Sequence, residues 1–161
     1  MDPEPCLASA RQNSIDSTTQ PANKMSEIKN FDSLFRLDGK VALVTGGSRG
    51  IGLHTATGFL KAGASTVIIS ARRSKDIDEA VNKLNEIPGI QGKAVGIAAN
   101  CSQKDDIVRL AKWVEQKYGK LDILVANAGA SWGSTFEDAP DEASQKILDL
   151  NVRGVFLLAQ K

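Results

Sequence analysis

A doubly wound α/β fold, a parallel sheet between two layers of helices, is what this sequence predicts. Three observations carry that prediction. The run Thr45-Gly46-Gly47-Ser48-Arg49-Gly50-Ile51-Gly52 joins the apolar stretch Val41-Ala42-Leu43-Val44 to a helical pattern of Ile51, Ala56, Phe59 and Leu60. From Lys40 onward strand-like runs alternate with amphipathic ones through short connections, the rhythm of right-handed βαβ units. No apolar run is long enough to cross a bilayer, so the sequence predicts a soluble chain with no membrane partner.

The elements follow in order. Met1–Ser26 is rich in Ser, Thr, Asn, Gln and Pro and poor in large apolar residues. Such a segment buries too little surface to offset its ordering entropy, so residues 1–36 are expected to be a disordered tail. It carries Asp2, Glu4 and Asp16 and has neither a basic amphipathic face nor an apolar core, which argues against a transit or signal peptide. Phe31, Leu34, Phe35 and Leu37 are expected to pack as a lead-in to the folded part, residues 37–161.

A first strand is expected over Lys40–Thr45, with a helix running to about Ala62 and Gly63 closing it. Thr66-Val67-Ile68-Ile69-Ser70 is β-branched and apolar on both faces, as a buried parallel strand should be. Ser74 is expected to cap the next helix, whose inward stripe is Ile77, Ala80, Val81 and Leu84 and which Pro88-Gly89 ends. A weaker strand, Lys93–Ala99, precedes a helix with Ser102 and Asp105 as its cap pair and Ile107, Leu110, Ala111 and Val114 inside. The fourth strand is expected over Leu121–Ala126. A last helix begins near Pro140, carries Ala143, Ile147, Leu150, Gly154 and Leu158 on one side, and is still running at Lys161. The chain is therefore expected to be cut, leaving Ile123-Leu124-Val125 as a sheet edge and Val155–Leu158 partly unburied.

Composition narrows the function classes. The formal net charge is +1, which argues against a general nucleic-acid surface. Cys6 and Cys101 are the only cysteines and lie far apart, and His54 is the only histidine. That is neither a disulfide framework nor a metal-ligand spacing, and it suits a reducing, cytoplasmic setting. His54 reads as a surface or groove residue of the first helix.

The chemistry lies in the glycine run. A strand that turns through glycines into a helix can hold a pyrophosphate, because the backbone approaches closely and the helix N-terminus offers free N–H groups. The competing reading is a glycine-rich turn serving geometry alone. Spacing discriminates further, since Gly46, Gly50 and Gly52 read T-G-x-x-x-G-I-G and not G-x-G-x-x-G. Two more segments follow at fitting intervals: Ala126-Asn127-Ala128-Gly129, and Asn151 within Leu150-Asn151-Val152. Together the three segments resemble the short-chain dehydrogenase/reductase family over about residues 38–161.

The resemblance implies a Rossmann-type three-layer αβα sandwich that binds a nicotinamide dinucleotide. It places the backbone around Gly46, Ser48, Gly50, Ile51 and Gly52 against the adenosine ribose and the phosphates. Asn127, Ala128 and Gly129 would border the nicotinamide-side ribose, and Asn127 has a second role open to it, tying adjacent strands. An NAD-selecting site ends its second strand with a carboxylate. This chain has Ala71 there, then Arg72 and Arg73, with Arg49 inside the glycine turn. Guanidinium groups suit a 2′-phosphate, so NADP(H) is expected, with Arg72 and Arg49 as its phosphate ligands. Where the family often has an adenine-binding aspartate, this chain has Asn100, whose amide would accept from the adenine amino group. Cys101 beside it reads as packing.

The family reduces a carbonyl or oxidises an alcohol with a Ser, a Tyr-x-x-x-Lys pair and an asparagine. Only the asparagine has a counterpart, Asn151, either as a kink in a water relay or as a tolerated polar residue. Tyr118 is the single tyrosine and Asp122, not lysine, lies four residues on, so Tyr118 reads as packing. Trp132 and Phe136 have both a pocket-wall and a packing role open. The expected function is an NADP(H)-dependent oxidoreductase acting on a small carbonyl or secondary alcohol, in truncated form and homo-oligomeric when complete. The alternative is a non-catalytic dinucleotide-binding module.

Overall fold

The computed structural model describes residues 31–135 and 137–161. The tail reading for residues 1–30 and the role of Phe136 lie outside the described residues. A short helix α1 (Phe31–Leu34) leads in; Leu37 packs on the core, while Leu34 and Phe35 are largely exposed, and the packing of Phe31 lies outside the described residues.

Four parallel strands follow: β1 (Val41–Thr45), β2 (Thr66–Ala71), β3 (Lys93–Ala98) and β4 (Ile123–Val125). Their spatial order is β3-β2-β1-β4, the order of one mononucleotide-binding half with a further strand added. Every residue of β1 is buried, as are Thr66–Ser70 of β2, because helices cover both faces. On one face α2 (Gly50–Lys61) and α3 (Ser74–Asn85) cover Val44, Val67 and Ile69. On the other, α4 (Lys104–Tyr118) and α6 (Gly154–Gln160) cover Val41, Leu43 and Ile68.

The stripes Ile77/Ala80/Leu84 and Ile107/Leu110/Val114 are buried as their spacing requires. Gly63 takes φ 97° just past α2, where the chain reverses. Both serine caps are displaced. Arg73 and Gln103 occupy the extended cap positions, and Ser74 already lies inside its helix. Arg73 instead pairs with Asp76 at 2.7 Å, and the Ser102 hydroxyl is turned back onto Asn100. The strand ends also retreat, to Ala98 and to Ile123–Val125.

The last helix is not continuous. α5 (Asp141–Leu148) passes through one wide turn over Asp149–Arg153, in which Gly154 N–H reaches back five residues to Asp149 O, before α6 begins. Gly154 rests on the Cys101 carbonyl so closely that any side chain there would collide with it. β4 lies at one edge of the sheet and is only half-buried. Beside it a groove of about 460 Å³ is lined by Leu121, Leu124, Val114 and Leu158 among others. Phe156 is exposed as expected, whereas Leu158 is buried against α4.

Candidate cofactor-binding site

The carboxyl ends of β1, β2 and β4 converge on the turn between β1 and α2. Gly46 and Gly50 have positive φ, 66° and 55°, which only glycine adopts cheaply. Gly47 N donates to Ser70 O at 3.2 Å, fastening the turn to the end of β2. From the other side Asn127 Nδ2 donates to Thr45 O at 2.9 Å and to Gly46 O at 3.3 Å. The Thr45 hydroxyl adds a third fastening, donating to Val125 O (3.3 Å) and accepting from Ala128 N (3.1 Å). The strand-tying arrangement open to Asn127 is therefore present, and the side chain is half-buried between the two segments. Sequence reasoning assigned no role to the Thr45 hydroxyl; its place beside the glycine run was the available signal.

The N-terminus of α2 differs electrostatically from those of the other long helices. The first turns of α3, α4 and α5 hold Asp76, Asp105 with Asp106, and Asp141 with Glu142. That of α2 holds no acidic residue, and its cap residue, Arg49, makes no side-chain cap bond. Its opening N–H groups are thus uncapped by any side chain, with a basic residue beside them, which is the environment of an anion site. Ser48 is half-exposed at this turn, and Ile51 is 79% exposed and so lies outside the core stripe.

Arg72 follows β2 directly and is exposed, as is Arg49. Arg36, Arg73, Arg109 and Arg153 each pair with an aspartate. Arg49 and Arg72 alone among the arginines of the described residues have no such partner. The two guanidinium groups without a carboxylate partner thus stand one inside the glycine turn and one directly after β2, while Arg73 pairs with Asp76.

At the far side of the site, Asn151 faces the loop after β4. Its Oδ1 accepts from Ala130 N at 3.0 Å and its Nδ2 donates to Ala130 O at 2.8 Å. The wide turn of Asp149–Arg153 aims this amide across an open cleft bordered by residues 126–131 and Val155. Ala130, one residue beyond the recognised motif, was not singled out by sequence. Trp132 is exposed. At the β3 end, Asn100 N donates to Asp106 Oδ2 at 2.7 Å, and Asn100 Oδ1 accepts from Ser102 N (3.2 Å) and Ser102 Oγ (3.0 Å). Asn100 Oδ1 thus takes part in the turn after β3.

Cys101 is buried and its thiol is pushed up to about 11, chiefly by burial, as a packing residue and not a nucleophile. Tyr118 stands edge-on to Trp113 at 5.9 Å and is half-buried, and its packing role stands. His54 is exposed on α2.

Sheet order and glycine turn together define a Rossmann-type α/β fold. A sequence model of the short chain dehydrogenase family matches residues 40–161, and the chain belongs to that family. It is 41% identical over 127 residues to a rhamnolipids biosynthesis 3-oxoacyl-[acyl-carrier-protein] reductase of Pseudomonas aeruginosa, covering 79% of this chain and 48% of that protein. Among solved structures it matches the Pseudomonas aeruginosa RhlG/NADP active-site complex with a TM-score of 0.72 at 41% identity, covering 78% of this chain and 47% of the other. An L-sorbose reductase of Gluconobacter frateurii complexed with NADPH and L-sorbose gives a TM-score of 0.73 at 33% identity, with the same two coverages. The chain spans about half the length of the relatives it matches. No helix among the described residues is long and apolar enough to cross a membrane.

Proposed function

We propose that this chain supplies the cofactor-binding part of an NADP(H)-dependent oxidoreductase that interconverts a small carbonyl compound and an alcohol. One observation carries the choice of cofactor: Arg49 and Arg72 lack the carboxylate partners that the other described arginines have. The uncapped start of α2 supports the placement of the pyrophosphate, and the NADP and NADPH complexes of the structural relatives support the nucleotide.

When bound, NADP(H) would supply or accept a hydride. The chain's own residues do the holding. The backbone of Gly46, Ser48, Gly50, Ile51 and Gly52 receives the phosphates, Arg49 and Arg72 meet the 2′-phosphate, and Asn127, Ala128 and Gly129 border the second ribose. Asn151, through its grip on Ala130, sets the position of the loop at the reactive end. The reading includes residues 1–36 as a tail, residues 37–161 as part of the dinucleotide-binding domain, a homo-oligomeric complete protein and a cytoplasmic setting.

Titration by cofactor fluorescence tests it. NADPH should bind more tightly than NADH, and Arg72→Ala or Arg49→Ala should each cost about tenfold or more in NADPH affinity, the worth of a charge-assisted hydrogen bond, while leaving NADH affinity nearly unchanged. Equal affinity of the unaltered protein for the two nucleotides would overturn the assignment. A second reading, a non-catalytic dinucleotide-binding module, draws on the absence of any Tyr-x-x-x-Lys from these 161 residues. NADPH binding without carbonyl turnover by the complete protein would favour it.

A further inference from the structure

We propose that the outer edge of β3 is a strand-acceptor surface for a second copy of this chain, held closed by the side chains of Asn85, Asp106 and Arg109. β3 ends the sheet, so no strand among the described residues lies beyond it. Lys93 N donates to Ser65 O and Ala99 N to Ala71 O, so the odd-numbered residues turn their backbone groups toward β2. Ala94, Gly96 and Ala98 turn theirs outward, and a row of outward N–H and C=O groups is a template for another chain.

Both ends of that row are occupied by side chains. Ala94 N donates to Asn85 Oδ1 at 2.7 Å, and Asn85 Nδ2 donates to Ala94 O at 3.1 Å. The amide at the end of α3 thus holds Ala94 as the backbone of an antiparallel neighbour would. At the other end Arg109 Nη2 donates to Ala98 O at 2.9 Å, and Asp106 Oδ2 accepts from Asn100 N at 2.7 Å. These two side chains also pair with each other at 2.9 Å. Together they bond the strand as one residue of a parallel neighbour does. A second copy suits the segment between the closures. Two β3 strands set antiparallel about Gly96 place each Ala94 opposite the other copy's Ala98. Positions 94–98 carry neither charge nor proline, and the Lys93 side chains stand at opposite ends of the pair. A net charge of +1 adds little repulsion between copies. In this register each end rung is blocked twice, by Asn85 of one copy and Arg109 of the other.

Sedimentation equilibrium of the 161-residue chain tests this with Asn85→Ala, Arg109→Ala, the double variant and Leu60→Val. Leu60→Val loosens the core under α2, away from the edge, and measures association caused by lost stability alone. The double variant should associate about tenfold more tightly, or better, than Leu60→Val and the unaltered protein, which is what the freed hydrogen bonds are worth. Each single variant leaves every end rung with one closure and should stay within about threefold of the unaltered protein. Amide exchange should show the Ala94 and Ala98 N–H groups fast in the dilute double variant and slow in its associated form. Gly58→Ala, whose added Cβ meets nothing within 4 Å, supplies a stabler background if the double variant does not fold alone. A double variant that associates no more than Leu60→Val, association without slowed exchange at Ala94 and Ala98, or a single variant matching the double overturns the proposal.

Discussion

Gly52→Ala and Gly58→Ala add the same methyl group to the same helix, α2, and should move stability in opposite directions. At position 52 the new Cβ would collide with the Gly46 carbonyl and lie 2.6 Å from Asn127 Nδ2. Neither neighbour is the loose end of a side chain. The first is backbone, and the second is held by its bond to Thr45 O at 2.9 Å. The methyl fits only if α2 lifts off the turn or the Asn127 bonds break, and overpacking of this kind costs about 1–3 kcal/mol. At position 58 the added Cβ meets nothing within 4 Å, so alanine gains only its helical preference, about 0.5–1 kcal/mol. For a chain of this size 1 kcal/mol moves Tm by about 3–5 °C. Calorimetry or far-ultraviolet circular dichroism should therefore show Gly58→Ala melting about 2–5 °C higher and Gly52→Ala about 3–15 °C lower. On the proposed function Gly52→Ala should also lose NADPH affinity, because the turn proposed to receive the phosphates is what moves. A Gly52→Ala protein melting at or above the unaltered one would refute the account of how this turn is held.

Two further substitutions probe other parts of the frame. The Asp122 carboxyl is held below the usual carboxylate range, first by the Val41 N–H at 2.8 Å and then by Lys120 at 3.0 Å. With the folded value depressed, its stabilisation is complete above about pH 4 and is lost as the pH falls through the folded value. Asp122→Asn should thus melt lower at pH 7, with the gap narrowing as the pH falls below about 4, and a gap constant with pH would contradict the linkage. The Ser70 hydroxyl is fully buried without a hydrogen-bond partner among the described residues. Ser70→Ala should then be neutral or stabilising by up to about 1 kcal/mol in urea unfolding, and a clear loss would mean that the hydroxyl has a partner.

The frame was legible in the sequence wherever the signal was local. Thr66–Ser70 reads as a buried strand from its own residues, and Ile107, Leu110 and Val114 face inward because helical spacing requires it. Caps were misread for a physical reason. Serine suits a cap by type, but the Ser102 hydroxyl had a better use on Asn100, a neighbour made accessible only by the turn after β3. The glycine turn was legible from its spacing, and Asn127 as a strand tie, but its bonds to Thr45 and Gly46 cross some 80 residues of sequence. The break near Asn151 was anticipated from Asn151 and Gly154. Its width was not, because it accompanies the contact of Gly154 with the distant Cys101 carbonyl.

These long-range bonds join the three motif segments into one mechanical unit. Asn127 fastens one end of the loop after β4 to the glycine turn, and Asn151 fastens Ala130, three residues on, to the wide turn between α5 and α6. The loop that would border the nicotinamide-side ribose therefore cannot shift without pulling on one turn or the other. The wide turn in turn leads into Gly154, which rests on the carbonyl of Cys101, the residue following Asn100. The adenine end and the reactive end of the proposed site are thus linked through one close backbone contact. Each asparagine meets donor and acceptor needs of the backbone at points where the regular ladder has ended, so the ends of the strands stay ordered where a ligand must be received.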